Sequence, residues 1–408
     1  MNKPELLMPA GNLEKLKYAL HYGADAVYLG TTDYSLRNVT KGETITQDNL
    51  NECIKIAHDM NTNVYVTINI YAHNKDINAL PEYVEYLSDL KPDAIIFSDI
   101  GVGSLIKKYA PEIPLHLSTQ ANTCNYASAQ AWHDFGVARI ILARELSLPE
   151  IEEIKIKVPS LELEVFIHGS LCISYSGRCL MSDYMTDNTR KSNQGGCAQP
   201  CRWKYYLMEE NRPGEYFQVN EDNNGSYIMN SKDLCLAEHI KEFIDIGIDS
   251  FKVEGRTKSL YYVAVVARTY KKIIDKILKN EKVDYLSQIR ELKTAGNRGF
   301  TTNFILGKPE SKDYDYETSK GKAGLKFLGT SLSDRIIDGN LLTRARNQIK
   351  LNDLVEWITP NNSYTGTIEH IINKHGEKVE VANTNDEVFL NIPEKLDDYR
   401  WAILRSKG

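Results

Sequence analysis

The sequence predicts an α/β chain: a (β/α)8, TIM-like barrel with a long cysteine-bearing insertion after its seventh strand, followed by a small C-terminal β-barrel domain. Three features require this. Short apolar runs of strand length alternate with amphipathic helical stretches from the N-terminus to about residue 280, and eight such runs are present. Strands buried on both faces read as continuous apolar runs, as in a parallel sheet walled by helices. An open doubly wound sheet would carry a glycine-rich phosphate turn after its first strand, but Met8, Pro9, Ala10, Gly11 and Asn12 do not supply G-x-G-x-x-G, and no phosphate-loop motif ending in Gly-Lys-Ser/Thr occurs. Beyond residue 280 the helical pattern gives way to short β-rich runs.

The eight expected strands are residues 5–8, 26–29, 64–68, 94–97, 115–117, 139–142, 163–167 and 251–253. The first helix is expected over 13–22, where Leu13, Leu16 and Leu20 share one face. Between the seventh strand and its helix, residues 170–232 form the insertion. Its stretches 205–208 and 226–229 alternate like strands, with turn chemistry at Asn223, Asn224 and Gly225. The barrel with its insertion is expected to span 1–280, a linker with helical segments 281–325, and the β domain 326–408, where runs such as 354–358 are separated by Asn and Gly turns.

Composition excludes several classes. With 42% hydrophobic and 25% charged residues, the 408-residue chain has the balance of a folded globular protein rather than a disordered one. Mean hydropathy is -0.40, and no apolar run approaches the roughly 18 to 20 residues that cross a bilayer. The opening Met1, Asn2, Lys3, Pro4 and Glu5 lacks a charged segment followed by an apolar one, so a cytoplasmic protein without membrane association is expected. A net charge of -6 excludes a uniformly basic nucleic-acid coat but leaves room for a local basic patch.

Cysteine placement says where to look. Of seven cysteines, Cys172, Cys179, Cys197, Cys201 and Cys235 fall within 64 residues. An odd number in a chain without an export signal argues against a disulfide framework and for a metal or redox site. The spacing matches neither the paired cysteines of zinc ribbons nor the C-x3-C-x2-C of radical enzymes, since Lys204 stands three residues past Cys201. An iron–sulfur cluster, a zinc ion and unliganded thiols are all compatible with it. Cys53 and Cys124 read as small buried apolar residues.

In such a barrel the chemistry sits at the carboxyl ends of the strands. Those ends are polar here: Asn69, Ser98 and Asp99, then Ser118, Gln120 and Asn122, Arg144 and Glu145, His168, and Glu254 and Arg256. Each has two readings. His168 either transfers protons or bonds a loop carbonyl; Glu254 and Arg256 form an acid–base couple or a structural ion pair. Gln120 and Asn122 contact a polar substrate or satisfy loop groups. Arg178, Arg190, Lys191, Arg202, Trp203, Lys204 and Tyr205 hold phosphates and stack a base, or form a solvated face. Protease chemistry has little support: H-E-x-x-H and G-x-S-x-G are missing, and a four-residue spacing from His168 to Cys172 does not establish a nucleophile–base pair.

The stretch 164–182, with His168, Gly169, Ser170, Cys172, Gly177, Arg178 and Cys179, resembles the signature of the collagenase-like U32 peptidase family. The resemblance extends to Gly196, Cys197, Pro200, Cys201 and Arg202, to residues 230–235 ending in Cys235, to Lys252, Val253, Glu254, Gly255 and Arg256, and to the opening 5–11. Despite the peptidase name, it implies oxygen-independent hydroxylation, of the wobble uridine in tRNA, of a cytidine in ribosomal RNA or of a ring in ubiquinone synthesis. For the tRNA branch it implies 5-hydroxyuridine formation with prephenate as co-substrate. A 4Fe-4S cluster is implied on Cys172, Cys179, Cys197 and Cys235, with Cys201 as a possible substitute. The expected partners are the tRNA anticodon region and prephenate, with a homo-oligomer or a partner subunit compatible. His168, Glu254 and Arg256 are the expected catalytic group; Gln120, Asn122, Arg144, Arg178, Arg202 and Lys204 are the expected substrate contacts. A U32-type peptidase and a non-catalytic RNA-binding metal protein are the alternatives.

Overall fold

The computed structural model describes residues 3–36, 44–203, 205, 207–208, 216–217, 231–310, 313–314, 321, 324–393 and 395–407. Lys204, the turn at 223–225 and the expected strand at 226–229 lie outside these residues.

The barrel follows the strand–helix alternation: β1 (Glu5–Pro9), α1 (Leu13–His21), β2 (Ala26–Leu29), α2 (Gln47–Asp59), β3 (Asn63–Ile68), α3 (Asn74–Leu90), β4 (Ala94–Phe97), α4 (Ile100–Tyr109), β5 (Leu115–Leu117), α5 (Tyr126–Phe135), β6 (Arg139–Ile141), α6 (Leu148–Lys157) and β7 (Glu162–Gly169). The insertion contributes α7 (Met181–Met185), the short antiparallel pair β8 (Leu207–Met208) and β9 (Tyr216–Phe217), and β10 (Asp233–Cys235). Then come α8 (Ile240–Ile246), β11 (Ser250–Val253), α9 (Leu260–Leu278), α10 (Tyr285–Thr294) and β12 (Phe300–Thr301). β1 to β7 pair in parallel with their neighbours, and β11 pairs in parallel with both β1 and β7, which closes the cylinder.

Local chemistry sets the helix starts. Asn12 accepts from the Lys15 amide, Asp99 from Val102 and Ser259 from Tyr262, each satisfying a donor that the first turn leaves open. Asp99, a polar strand end in the sequence, thus serves as a cap. Leu16, Leu20, Val27, Val66 and Val263 belong to the shell between strands and helices. Within the cylinder, Leu7, Ala26, Tyr28, Tyr65, Ile96 and Ile141 pack with Phe166.

One layer of the interior is charged. Glu164 is fully buried; its Oε1 lies 2.7 Å from Lys252 Nζ and its Oε2 3.5 Å from Arg139 Nη1. Arg139 also meets Glu5 Oε1 at 2.7 Å, and the Tyr65 hydroxyl donates to Glu5 Oε2 at 2.5 Å. Four charged side chains inside the cylinder are mutually compensating, as buried charges must be.

The insertion leaves the barrel after β7 and returns as β10, which pairs antiparallel with β7, Leu234 opposite Gly169 and Cys235 opposite His168. β12 extends that edge in parallel with β10. Asp233 is buried and meets Arg298 and, at 3.4 Å, Lys258 Nζ.

The C-terminal region is an antiparallel half-barrel in the order β17 (Ser363–Thr367), β16 (Leu354–Ile358), β22 (Ile403–Ser406), β13 (Phe327–Ser331), β14 (Asn340–Ala345), β21 (Glu387–Asn391), β18 (Ile371–Asn373) and β19 (Lys378–Val379). A separate pair, β15 (Ile349–Lys350) with β20 (Val381–Ala382), flanks it. Leu341, Trp357, Ile371, Leu390 and Leu404 form its own core. It docks on the barrel through Tyr22, which caps the C-terminus of α1 and whose hydroxyl donates to the carbonyls of Ile358 and Trp401 at 3.0 and 2.8 Å. Arg405 reaches the Glu291 carboxylate of α10 with two bonds of 2.9 Å.

Candidate active site

At the carboxyl ends of the barrel strands lies a cavity of about 140 Å3 whose wall includes Gln120, Arg144, Lys252, Glu254 and Arg256 and whose outer edge includes Cys172, Cys179, Cys197 and Cys201.

Arg256 is buried, and its Nη1 donates to Ser35 Oγ at 2.7 Å and Thr67 Oγ1 at 3.2 Å, with the guanidinium 5.8 Å from the centre of the Tyr28 ring. Gly30 makes this possible. A Cβ there would stand 2.3 Å from Thr67 Oγ1 and 2.8 Å from Arg256 Nη1. Lys252 comes up from the charged layer with its ammonium 4.6 Å from the Tyr28 ring centre, and burial lowers its pKa below the ordinary lysine value. Glu254 also lines the cavity, and its Oε2 accepts from the Ser170 amide at 3.4 Å.

Arg144 lines the wall, donating to the Ser170 carbonyl at 3.2 Å with its guanidinium 5.3 Å from the Phe166 ring centre. Gln120 follows β5 in a 3-10 turn and lines the cavity, and its buried Oε1 has no hydrogen-bond donor among the described residues. A buried amide oxygen of this kind is a candidate ligand contact. Asn122 closes the same turn in the left-handed conformation, φ 55°, and does not line the cavity. Arg178 is exposed at the rim, donating to the Gln120 carbonyl at 2.9 Å and lying 5.3 Å from the Tyr71 ring centre. Arg202 donates to the Leu171 carbonyl at 3.3 Å, outside the cavity wall.

His168 requires correction. Lys252 stands opposite Phe166, whereas Val253 stands opposite His168, so β7 carries one extra residue against β11. Such a bulge turns the next side chain to the other face. Phe166 faces the cavity; His168 packs against Tyr262, Tyr270 and Phe300, with Nδ1 3.3 Å from the Tyr270 hydroxyl. Burial, with the charge of Lys258, lowers its pKa to about 3. It is a neutral core histidine, away from the cavity and from Cys172.

The thiols also differ from the implied set. Cys172, Cys179, Cys197 and Cys201 share the cavity edge. The Cys201 thiol is raised above the ordinary value first by burial and further by the nearby charges of Cys172, Cys197 and Cys179. Cys235 instead faces the Tyr270 hydroxyl at 3.7 Å on the outer side of β10, and burial raises its thiol. Amides already point at two of the sulfurs: Met181 N–H at Cys179 Sγ, 3.4 Å, and Gln199 N–H at Cys197 Sγ, 3.3 Å. Four soft donors, two with amide hydrogen bonds, are the donor chemistry of an iron–sulfur cluster. Among the described residues no three His, Cys, Asp or Glu side chains close on one point, so the thiols are gathered without being drawn together.

Sequence reasoning missed Lys252 and Thr67 as wall residues and Ser35 as a partner of Arg256. Only Lys252 left a signal, because a lysine inside an apolar strand is rare.

Residues 11–315 match peptidase family U32 and residues 324–405 its C-terminal domain. The chain is 37% identical to tRNA hydroxylation protein P of Escherichia coli, over 97% of this chain and 95% of that one. It is 40% identical to tRNA hydroxylation protein P of Helicobacter pylori, over 92% of this chain and 88% of that one. A 23S rRNA 5-hydroxycytidine synthase of Escherichia coli is 30% identical over 81% of this chain and 48% of its own length. No described helix is long and apolar enough to cross a membrane. By this match along almost its whole length, the chain belongs to peptidase family U32.

Proposed function

We propose that this protein is a cytoplasmic tRNA-modifying enzyme that hydroxylates the wobble uridine without molecular oxygen, forming 5-hydroxyuridine with prephenate as co-substrate and a 4Fe-4S cluster. One observation carries the reading: a single cavity combines four thiols at its edge with Arg144, Lys252 and Arg256 in its wall. Relatives named for tRNA hydroxylation and for 5-hydroxycytidine synthesis support a pyrimidine of RNA as the target.

Cys172, Cys179, Cys197 and Cys201 would hold the cluster, which supplies one-electron chemistry when bound. The remaining tasks fall to the polypeptide. An anticodon base is single-stranded, so splaying it into the cavity costs less than opening a duplex. The orphan Oε1 of Gln120 would accept a uracil N–H. Prephenate carries two carboxylates, and Arg144 and Arg256 present charge-assisted donors to them. Ser35 and Thr67 fix the Arg256 fork, and the apolar Ile96, Ile141 and Phe166 exclude water around it. Arg178 at the rim, with Arg202 and Lys204, would hold the flanking phosphates.

Nucleoside mass spectrometry of tRNA from cells lacking the protein tests this. We expect loss of 5-hydroxyuridine and its derivatives, restored by the wild-type chain and not by Arg256→Gln. An unchanged nucleoside profile ends the proposal.

A further inference from the structure

A second cleft, of about 870 Å3, lies between α9, α10 and the C-terminal sheet. Six cationic side chains border it, Arg268, Lys272, Arg290, Lys293, Arg405 and Lys407, against the carboxylates of Glu291 and Glu356. Both carboxylates are already engaged. Glu291 accepts both Arg405 terminal nitrogens, and Glu356 accepts Arg405 Nε at 2.7 Å and Lys407 Nζ at 3.1 Å. Among the described residues no carboxylate forms an ion pair with Arg268, Lys272, Arg290 or Lys293.

Arg268 is the telling member. It is only 7% exposed, its Nη2 donates to Ser363 Oγ at 2.9 Å, and its Nη1 has no partner among the described residues. A buried guanidinium N–H without an acceptor is costly, and a ligand oxygen would satisfy it. Lys272, one turn along α9, is pushed down to about 8 by burial and by the charge of Arg268. An anion in the cleft relieves both.

We propose that this cleft is a second RNA contact, taking backbone phosphates of the same tRNA whose base enters the barrel mouth; the inference rests on the functional reading above. Two arrangements favour a polyanion over a lone ion. The cations form rows, Arg268 and Lys272 on α9 and Arg290 and Lys293 on α10, spaced three or four residues apart along each helix. The cleft and the mouth are also spanned by one helix: Arg268 lies about 12 Å along α9 from Leu260, which follows the Arg256 loop.

The test is tRNA binding by the full-length protein, measured by fluorescence anisotropy from low to moderate salt. Arg290→Ala with Lys293→Ala removes two exposed side chains, and Arg268→Gln removes the buried donor. We expect weaker binding and, for the double variant, a salt slope smaller by about two units. Slopes equal to that of the wild type overturn the cleft proposal, as does stabilisation of the protein by inorganic phosphate that is lost in the variants while tRNA binding stays intact. If the wild-type protein itself fails to bind tRNA, the functional reading falls with it. If only the variants match the wild type, the cleft alone does.

Discussion

The ammonium of Lys252 on β11 stands 2.7 Å from Oε1 of Glu164 on β7, both side chains buried inside the cylinder, Lys252 in the wall of the candidate active site. Neighbouring strands are thereby tied through their side chains as well as their backbones.

That pair should behave as a unit. Lys252→Met alone leaves the buried Glu164 carboxylate with only the 3.5 Å contact to Arg139, with an expected loss of about 3 kcal/mol. Lys252→Met combined with Glu164→Gln should recover most of it. Urea unfolding of the two single variants and the double decides the matter, and additive losses would refute the coupling.

Gly30 and Arg256 give a second test. Gly30→Ala forces a methyl group against Thr67 Oγ1 and Arg256 Nη1, an overpacking that costs about 1–3 kcal/mol. The protein should still fold but lose 5-hydroxyuridine formation, as Arg256→Gln does. Full activity in a folded Gly30→Ala protein would remove Arg256 from the active site.

The thiols can be sorted by iron content. Protein prepared without oxygen should carry about four irons per chain, the stoichiometry of that cluster type. Cys201→Ala and Cys179→Ala should lose them, while Cys53→Ala and Cys235→Ala keep them, because Cys53 is buried in the shell and Cys235 faces Tyr270. Iron retained in Cys201→Ala and lost in Cys235→Ala would restore the set implied by the family signature.

His168 makes stability depend on pH. Its folded pKa of about 3 lies below the ordinary 6.5, so between those values the unfolded chain binds a proton that the folded one does not. The destabilisation is absent above pH 6.5 and grows as pH falls towards 3, by about 1.4 kcal/mol per unit. His168→Gln should flatten this decline in melting temperature between pH 7 and 4. Parallel melting curves for the two proteins would show that His168 is not held neutral.

Much of this was legible in the sequence. The eight parallel strands follow from apolar runs that only a doubly covered sheet explains, and the four thiols at the cavity edge all come from the five cysteines crowded between 172 and 235. What stayed hidden depends on pairing. The facing of His168 hinges on one extra residue opposite Val253, and a bulge leaves no mark in a strand's own apolar pattern. The return strand β10 is three residues long, too short for periodicity to reveal. The roles of Ser35 and Thr67 come from Arg256, two hundred residues away in the chain, and cross-barrel contacts of that kind have no local signature.

Because Leu234 sits directly across from Gly169, the long cysteine-bearing excursion enters and exits the cylinder at adjacent points, much as a hairpin does. That pairing registers the two ends of the segment, and between them it is tied to the barrel by Ser176, which donates to Glu145, and by Arg178, which donates to the Gln120 carbonyl. The loop-closure cost of such a segment grows only slowly with its length. Changes in it would reshape the cavity edge, where Cys172, Cys179, Cys197 and Cys201 lie, while the β7–β10 pairing stays in place.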